Sequence, residues 1–281
     1  MNPSWKSLAV LGLAAGLSPN TELIHIGAAE SKPFHWLFAG NAAAALALNA
    51  GASELLEGTE PFVLKGLTFK DLPPGWKAIP IAAFKSFDDV RNALADTTLA
   101  STVKGVMYDY EAWRFTPEEE QKNPARYVKQ AADIVHANGF LFFTAPAIDL
   151  VPVLAPNDDR KHQDETYLRL GIAADAARYA DVFAIQSQRF ERDTNLYARF
   201  VKEAAAQARQ ANPKVIVLAG VSTQPSGHFV TANDILRAIG ATRDFVDGYW
   251  LNIPGPSEYS PAVTEFRPDI AANVLRALAQ R

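Results

Sequence analysis

Val103 to Pro146 reads VKGVMYDYEAWRFTPEEEQKNPARYVKQAADIVHANGFLFFTAP, and this stretch decides the fold. Val103 to Glu111 is rich in β-branched and aromatic residues, the composition of a strand. Pro124 to Ala137 is alanine-rich with apolar residues at helical spacing; Pro124 suits a first turn and Asn138-Gly139 supplies the stop. Phe140 to Pro146 is a second apolar, aromatic strand. Strand, helix and strand in so short a span predict a parallel βαβ unit.

The same alternation runs outward in both directions. Strands are predicted at Phe34 to Ala39, Phe62 to Leu67, Lys77 to Phe84, Val182 to Gln188, Val215 to Val221 and Gly248 to Ile253. Helices are predicted at Asn41 to Leu56, Phe87 to Leu94, Glu165 to Tyr179, Leu196 to Ala211, Ala232 to Ile239 and Asp269 to Ala279. Leu67 to Trp76, with Asp71-Leu72-Pro73-Pro74-Gly75, reads as a loop or single turn. Eight strand-helix units over residues 34–281 predict an α/β protein, a single-domain (β/α)8 TIM barrel. An open doubly wound sheet would call for a Gly-x-Gly-x-x-Gly turn after the first strand, and none is there.

Composition narrows the function. The 281 residues include no cysteine, which excludes disulfides, thiolate metal sites and a cysteine nucleophile. A net charge of −4 with no basic run argues against a nucleic-acid partner. Residues 1–33 form a separate N-terminal segment, in which Lys6 precedes the apolar run Leu8 to Leu17. That run has the length of a signal-peptide core and is too short for a membrane span. It reads as an export signal or as a surface helix: the protein is secreted if residues 1–29 are a signal and cytoplasmic otherwise. No other stretch is a candidate span.

Alternation along Val103 to Glu111 puts Met107, Asp109 and Glu111 on one face and Val106, Tyr108 and Tyr110 on the other. The aromatic face would pack under helices, sending two carboxylates to the barrel mouth, where barrel enzymes keep their catalytic groups. Neighbouring carboxylates oppose each other's ionisation, raising one pKa and suiting that member to general-acid work. The competing structural role for both is as loop caps or ion-pair partners of Arg114 or Lys104.

This strand resembles the fourth-strand motif of glycoside hydrolase family 18, the chitinase-like barrels, in which Asp-Gly-x-Asp-x-Asp-x-Glu ends in the general acid. Gly105, Asp109 and Glu111 match the motif's Gly, last Asp and Glu, while Lys104 and Met107 stand at its other acidic positions. The resemblance implies that Glu111 protonates the glycosidic oxygen and that Asp109 orients and stabilises a substrate acetamido group. The family's sixth-strand Tyr is replaced here by Gln, in Phe183 to Gln188. An Asp-x-Glu strand is also similar to family 25 lysozyme-like hydrolases, so the short motif does not select a substrate.

Other strand ends supply polar groups. Gln186 and Gln188 share a parity and are expected to point inward and bind sugar hydroxyls. Thr144 and Asp149 close the fifth strand; Asp149 is a candidate nucleophile or base, or else an N-cap for Leu150 to Val153. Trp250 and Asn252 share a face of the eighth strand, the Trp as a candidate sugar platform; Trp113 and Tyr259 are candidate rim aromatics. His25, His35, His136, His162 and His228 show no metal-ligand spacing, and His136 reads as structural in a last helical turn. His228 is placed to reach the pocket from the loop after the seventh strand, and Gly220-Val221-Ser222 or Gly255 is a weak candidate phosphate cradle. No Gly-x-Ser-x-Gly elbow is present.

The expectation is a glycoside hydrolase acting on an oligo- or polysaccharide, without cofactor or metal, with Glu111 as acid/base and Asp109 as its partner. Two alternatives stay open: a carbohydrate-binding barrel without catalysis, and an aldolase or isomerase in which Asp109, Glu111 and Asp149 bind Mg²⁺ or Mn²⁺. Sequence sets neither the sugar and linkage nor the oligomeric state.

Overall fold

The computed structural model describes residues 34–280 apart from 50, 58, 66–74, 97, 98, 100, 259 and 260. The N-terminal segment, most of the expected Leu67 to Trp76 loop and Tyr259 therefore lie outside the described residues.

Eight parallel strands pair in sequence order and close on themselves as a (β/α)8 barrel. They are β1 (His35–Ala39), β2 (Phe62–Lys65), β3 (Ile79–Phe84), β4 (Gly105–Tyr108), β5 (Leu141–Thr144), β6 (Val182–Ile185), β7 (Ile216–Ser222) and β8 (Gly248–Asn252). The seam sets His35 against Gly248, Trp36 against Tyr249 and Leu37 against Trp250. A Cβ at Gly248 would stand 1.9 Å from the His35 carbonyl oxygen, so the seam closes only because that side chain is missing.

Period-two alternation sorts each strand between two cores. Leu37, Phe62, Ile81, Met107, Phe143, Val182, Leu218 and Trp250 fill the barrel interior. Phe38, Val63, Ala82, Tyr108, Phe142 and Phe183 face outward and pack under the helices. Gly105 belongs to the interior face, where a Cβ would lie 2.7 Å from the Phe143 ring and 2.9 Å from Ile81, so the glycine makes room for both.

The helical layer consists of α1 (Gly40–Ala47), α2 (Ala52–Leu56), α3 (Phe87–Ala95), α4 (Glu118–Lys122), α5 (Pro124–Ala137), α6 (Val151–Leu154), α7 (Gln163–Arg169), α8 (Ile172–Ala177), α9 (Thr194–Ala211), α10 (Ala232–Thr242) and α11 (Pro268–Ala279). Two of the expected helices are each broken in two. Asn41 to Leu56 divides around Gly51 (φ +80°) and Glu165 to Tyr179 around Gly171 (φ +69°), both left-handed positions that only glycine adopts without strain. Side-chain caps fix other starts: Ser86 accepts from the Asp89 amide, Asp193 from Asn195 and Leu196, and Thr231 forms a capping box with Asp234.

β4, β5 and β6 end sooner than the sequence predicts, and for β4 the reason is chemical. Beyond Tyr108, the Asp109 amide still bonds to the Phe84 carbonyl at 2.9 Å. The Glu111 and Ala112 amides then leave the sheet for side-chain acceptors, Thr116 Oγ1 at 3.3 Å and Asp149 Oδ1 at 3.0 Å. No helix among the described residues is long and apolar enough to cross a membrane.

Candidate active site

The site begins with one amide. Gln186, just past β6, donates through Nε2 to Asp109 Oδ1 at 3.1 Å, to Glu111 Oε1 at 3.1 Å and to the Ala145 carbonyl at 2.9 Å. One nitrogen thus ties the ends of β4, β5 and β6 together and holds both carboxyls at the mouth.

Their electrostatic settings differ. Asp109 is 5% exposed and forms an ion pair with the Lys85 ammonium. Lys85 follows Ile79, Ile81 and Ala83 on the inward parity of β3, and its Nζ lies 4.8 Å above the Trp113 ring. Glu111 lacks such a partner. Burial first, then the Asp109 and Asp149 carboxylates, push its carboxyl up to about 8, against the smaller opposing effects of Gln186 and Lys85. Glu111 is therefore a protonated acid at neutral pH, next to an aspartate paired with a cation. Asp149 is also raised, chiefly by burial, with its bond from the Ala112 amide and the charge of Arg189 acting the other way.

The loop that carries Glu111 is fixed from below. Thr116 Oγ1 donates to the Lys85 carbonyl at 2.8 Å and accepts from Trp113 Nε1 at 2.9 Å. Gln121 Nε2 donates to the Trp113 and Thr116 carbonyls at 2.9 and 2.7 Å. The buried Glu120 takes the Tyr108 hydroxyl at 2.5 Å and the Phe87 amide at 2.9 Å, tying α4 to β4 and to the start of α3.

A cavity of about 320 Å³ opens over this floor, lined by Glu111, Asp149, Gln186, Gln188 and Asn252 together with Arg189, Ser222, Gln224 and the turn Pro225–Gly227. Five of the residues expected at the site from sequence thus meet in one cavity, with Asp109 directly beneath it through Gln186. Asp149 lies within a 3-10 turn, Ile148–Leu150, and caps the Ala112 amide instead of the turn that follows it.

Other expectations are corrected. Thr144 does not face the cavity: Phe143 takes the inner side of β5, so the Thr144 hydroxyl points to the helical layer and bonds to the Tyr108 carbonyl at 3.3 Å. Trp250 is inward but one layer too deep, packed in the barrel core under Asn252 and absent from the cavity lining. Trp113 bears on Lys85 and Thr116 and does not line the cavity. His228 is exposed and also lies off the lining. The Ser222 amide of the weak phosphate cradle already donates to Glu191 Oε2 at 2.7 Å. Among the described residues no three His, Asp or Glu side chains are grouped so as to hold a metal ion. His136 bonds to Asp181 Oδ2 at 2.9 Å, at the opposite end of β5 and β6 from the cavity, a structural contact.

Sequence reasoning missed Lys85, Arg189 and Gln224. Lys85 was visible as the one charged residue on the parity Ile79, Ile81, Ala83, Lys85; Arg189 and Gln224 sit in loops without a period to read.

Fold and site together define a barrel with a carboxylic acid and an ion-paired aspartate at its C-terminal mouth. The chain matches no family model and no curated protein in sequence. Solved structures similar to it include pyruvate carboxylase of Rhizobium etli, at 12% identity and TM-score 0.48 over 89% of this chain and 26% of that one. The chain thus spans about a quarter of that protein's length. The spore cortex-lytic enzyme SleL of Bacillus megaterium is similar at 10% identity and TM-score 0.43, covering 87% and 73% of the two chains. A class V chitinase of Pseudomonas fluorescens is similar at 13% identity and TM-score 0.39, covering 68% of each. The fold assignment rests on the strand order itself.

Proposed function

We propose that the protein is a glycoside hydrolase acting on an oligo- or polysaccharide, with Glu111 as general acid/base and Asp109 as its orienting and stabilising partner. The observation that carries the reading is the Gln186 amide shared at 3.1 Å by two carboxyls, only one of which has a cationic partner. Such a pair divides the labour of glycoside cleavage.

Glu111 donates its proton to the glycosidic oxygen as the bond to the anomeric carbon breaks, and the leaving sugar departs as an alcohol. Positive charge developing on the ring is met by the anions of Asp109 and Asp149. The Glu111 carboxylate then takes a proton from the incoming water, and hydroxyl transfer to the anomeric carbon restores the acid. Asp149, on the same cavity, is the nucleophile of this scheme: its carboxylate bonds the anomeric carbon as the leaving sugar departs and is released when the water activated by Glu111 attacks; Gln186 stands where the resembled family has its acetamido-holding Tyr, which favours a two-carboxylate route over substrate assistance.

The test is hydrolysis of a panel of glycans and chromogenic glycosides, with and without an N-acetyl group, by wild type and Glu111→Gln. Turnover by wild type, reduced about a thousandfold or more in the variant with folding intact, is expected. Equal turnover by both proteins would remove Glu111 from the chemistry. Saccharide binding without turnover by wild type would mark a binding barrel.

A further inference from the structure

The cavity wall at the end of β7 carries polar side-chain atoms for which the protein supplies no partner. Gln224 is 1% exposed and lines the cavity, yet neither its carboxamide oxygen nor its nitrogen makes a hydrogen bond. Thr223 Oγ1 beside it and Trp250 Nε1 in the layer below are also buried and unpaired. Buried donors and acceptors are as a rule satisfied, because an unmet one keeps its desolvation cost. Of the six such atoms among the described residues, four lie here; the others are Glu191 Oε1, on the carboxylate that takes the Ser222 amide, and Gln207 Oε1 on α9.

The backbone around them is, by contrast, well paired. The Ser222 amide donates to Glu191, the Gln224 amide to Ser222 Oγ at 3.1 Å and the Thr223 amide to the Asn252 carbonyl at 3.0 Å. The Ser187 and Tyr197 hydroxyls both donate to the Gly220 carbonyl, at 3.0 and 3.1 Å. Immediately after Gln224 the chain turns through Ser226 (φ +49°), the one non-glycine with positive φ among the described residues. A hydrogen-bonded backbone thus carries a side-chain amide that is covered and has no hydrogen-bond partner in the protein.

We propose that Gln224 is a ligand-recognition residue, whose carboxamide, covered in the protein alone, turns toward the cavity to hold two neighbouring hydroxyls of a neutral sugar ring above Glu111. This rests on the glycosidase reading for the ligand being a saccharide. The chemistry of the wall selects the hydroxyl pair. A carboxamide sets one acceptor beside one donor, and adjacent hydroxyls return a donor and an acceptor. Among the described residues no aromatic ring lines the cavity. An amide that is a liability in the empty protein becomes an asset in the complex, the pattern of a site that trades stability for function.

The experiment is calorimetric titration of the turnover-deficient Glu111→Gln protein with soluble cello- and chito-oligosaccharides, repeated with Gln224→Leu and Gln224→Met added. The two probe series share ring hydroxyls and differ in the acetamido group. Binding by the parent, weakened about tenfold or more by both Gln224 substitutions, with a melting temperature unchanged or raised, is expected. In the parent, the Gln224 side-chain NH₂ resonances should shift on saturation. Unchanged affinity in both variants, with those resonances unmoved, would overturn this assignment and leave the glycosidase reading standing. No binding to either series and no turnover by wild type would overturn both. An effect confined to chito-oligosaccharides would replace the hydroxyl pair by the acetamido group and so overturn the proposal as stated.

Discussion

At the scale of residues, the site turns on why two acids two positions apart behave differently. Both are inward by parity, and that much is legible in Met107, Asp109 and Glu111. Burial and the neighbouring carboxylates raise Glu111, while Lys85, delivered by the third strand, forms an ion pair with Asp109 and not with Glu111. Lys85→Met should leave the aspartate without its counter-ion, so that the pair shares a proton and kcat falls about tenfold or more, with the acid limb of the pH–rate profile moved upward. A variant with the wild-type profile would show that the ion pair is only structural. Stability should carry the mark of Glu111 as well. The folded protein keeps its proton up to about pH 8, whereas an unfolded glutamate gives it up near its ordinary value of 4.5. Stability is therefore full at the acid end and declines as pH rises through that window, by up to about 1.4 kcal/mol per pH unit. Urea denaturation at pH 5, 6, 7 and 8 measures the slope, and Glu111→Gln should reduce it; Asp149, Glu120 and Glu191, all raised in the same direction chiefly by burial, leave a residual slope.

Secondary-structure elements were legible where their periods are strong, as in the cores of the eight strands and in α5 and α9. The breaks at Gly51 and Gly171 were not, because glycine within an alanine-rich helical pattern gives no sign of whether tertiary packing will use its left-handed freedom. The end of β4 was overestimated for a related reason: its last amides bond to Thr116 and Asp149, residues far from any strand pattern. Thr144, expected among the binding residues as a polar strand end, faces outward because Phe143 holds the inner face of β5. Two substitutions test these accounts. Asp193→Ala removes the oxygen that accepts the first amides of α9 and should cost about 1 kcal/mol, read from the denaturation midpoint. Gly105→Ala, pressed against Phe143 and Ile81, should cost about 1–3 kcal/mol. A neutral Gly105→Ala would mean that the glycine of the β4 motif has no packing role.

For the molecule as a whole, the barrel is a device for bringing residues distant in sequence to one mouth. Asp109 and Glu111 meet Gln186 and Asn252 only because eight strands close, and closure depends on β8 lying flat against β1. Gly248→Ala should accordingly be more damaging than Gly105→Ala, because its Cβ meets the His35 backbone, which cannot turn aside as a ring can. A smaller loss at Gly248 than at Gly105 would count against the seam as the weak point of the closed sheet. The repeated βα pattern made this architecture readable from sequence, while the cavity wall of Arg189 and Gln224, built from loops, became visible only in three dimensions. What closure delivers to the site is a glutamic acid whose burial beside two other carboxylates pushes its carboxyl up to about 8. The measurement that tests this most directly is a ¹³C NMR titration of the glutamate carboxyls from pH 4 to 10, with the Glu111 signal assigned by its loss in Glu111→Gln. A Glu111 midpoint near 8 is predicted; a midpoint at the ordinary glutamate value of about 4.3 would contradict the account.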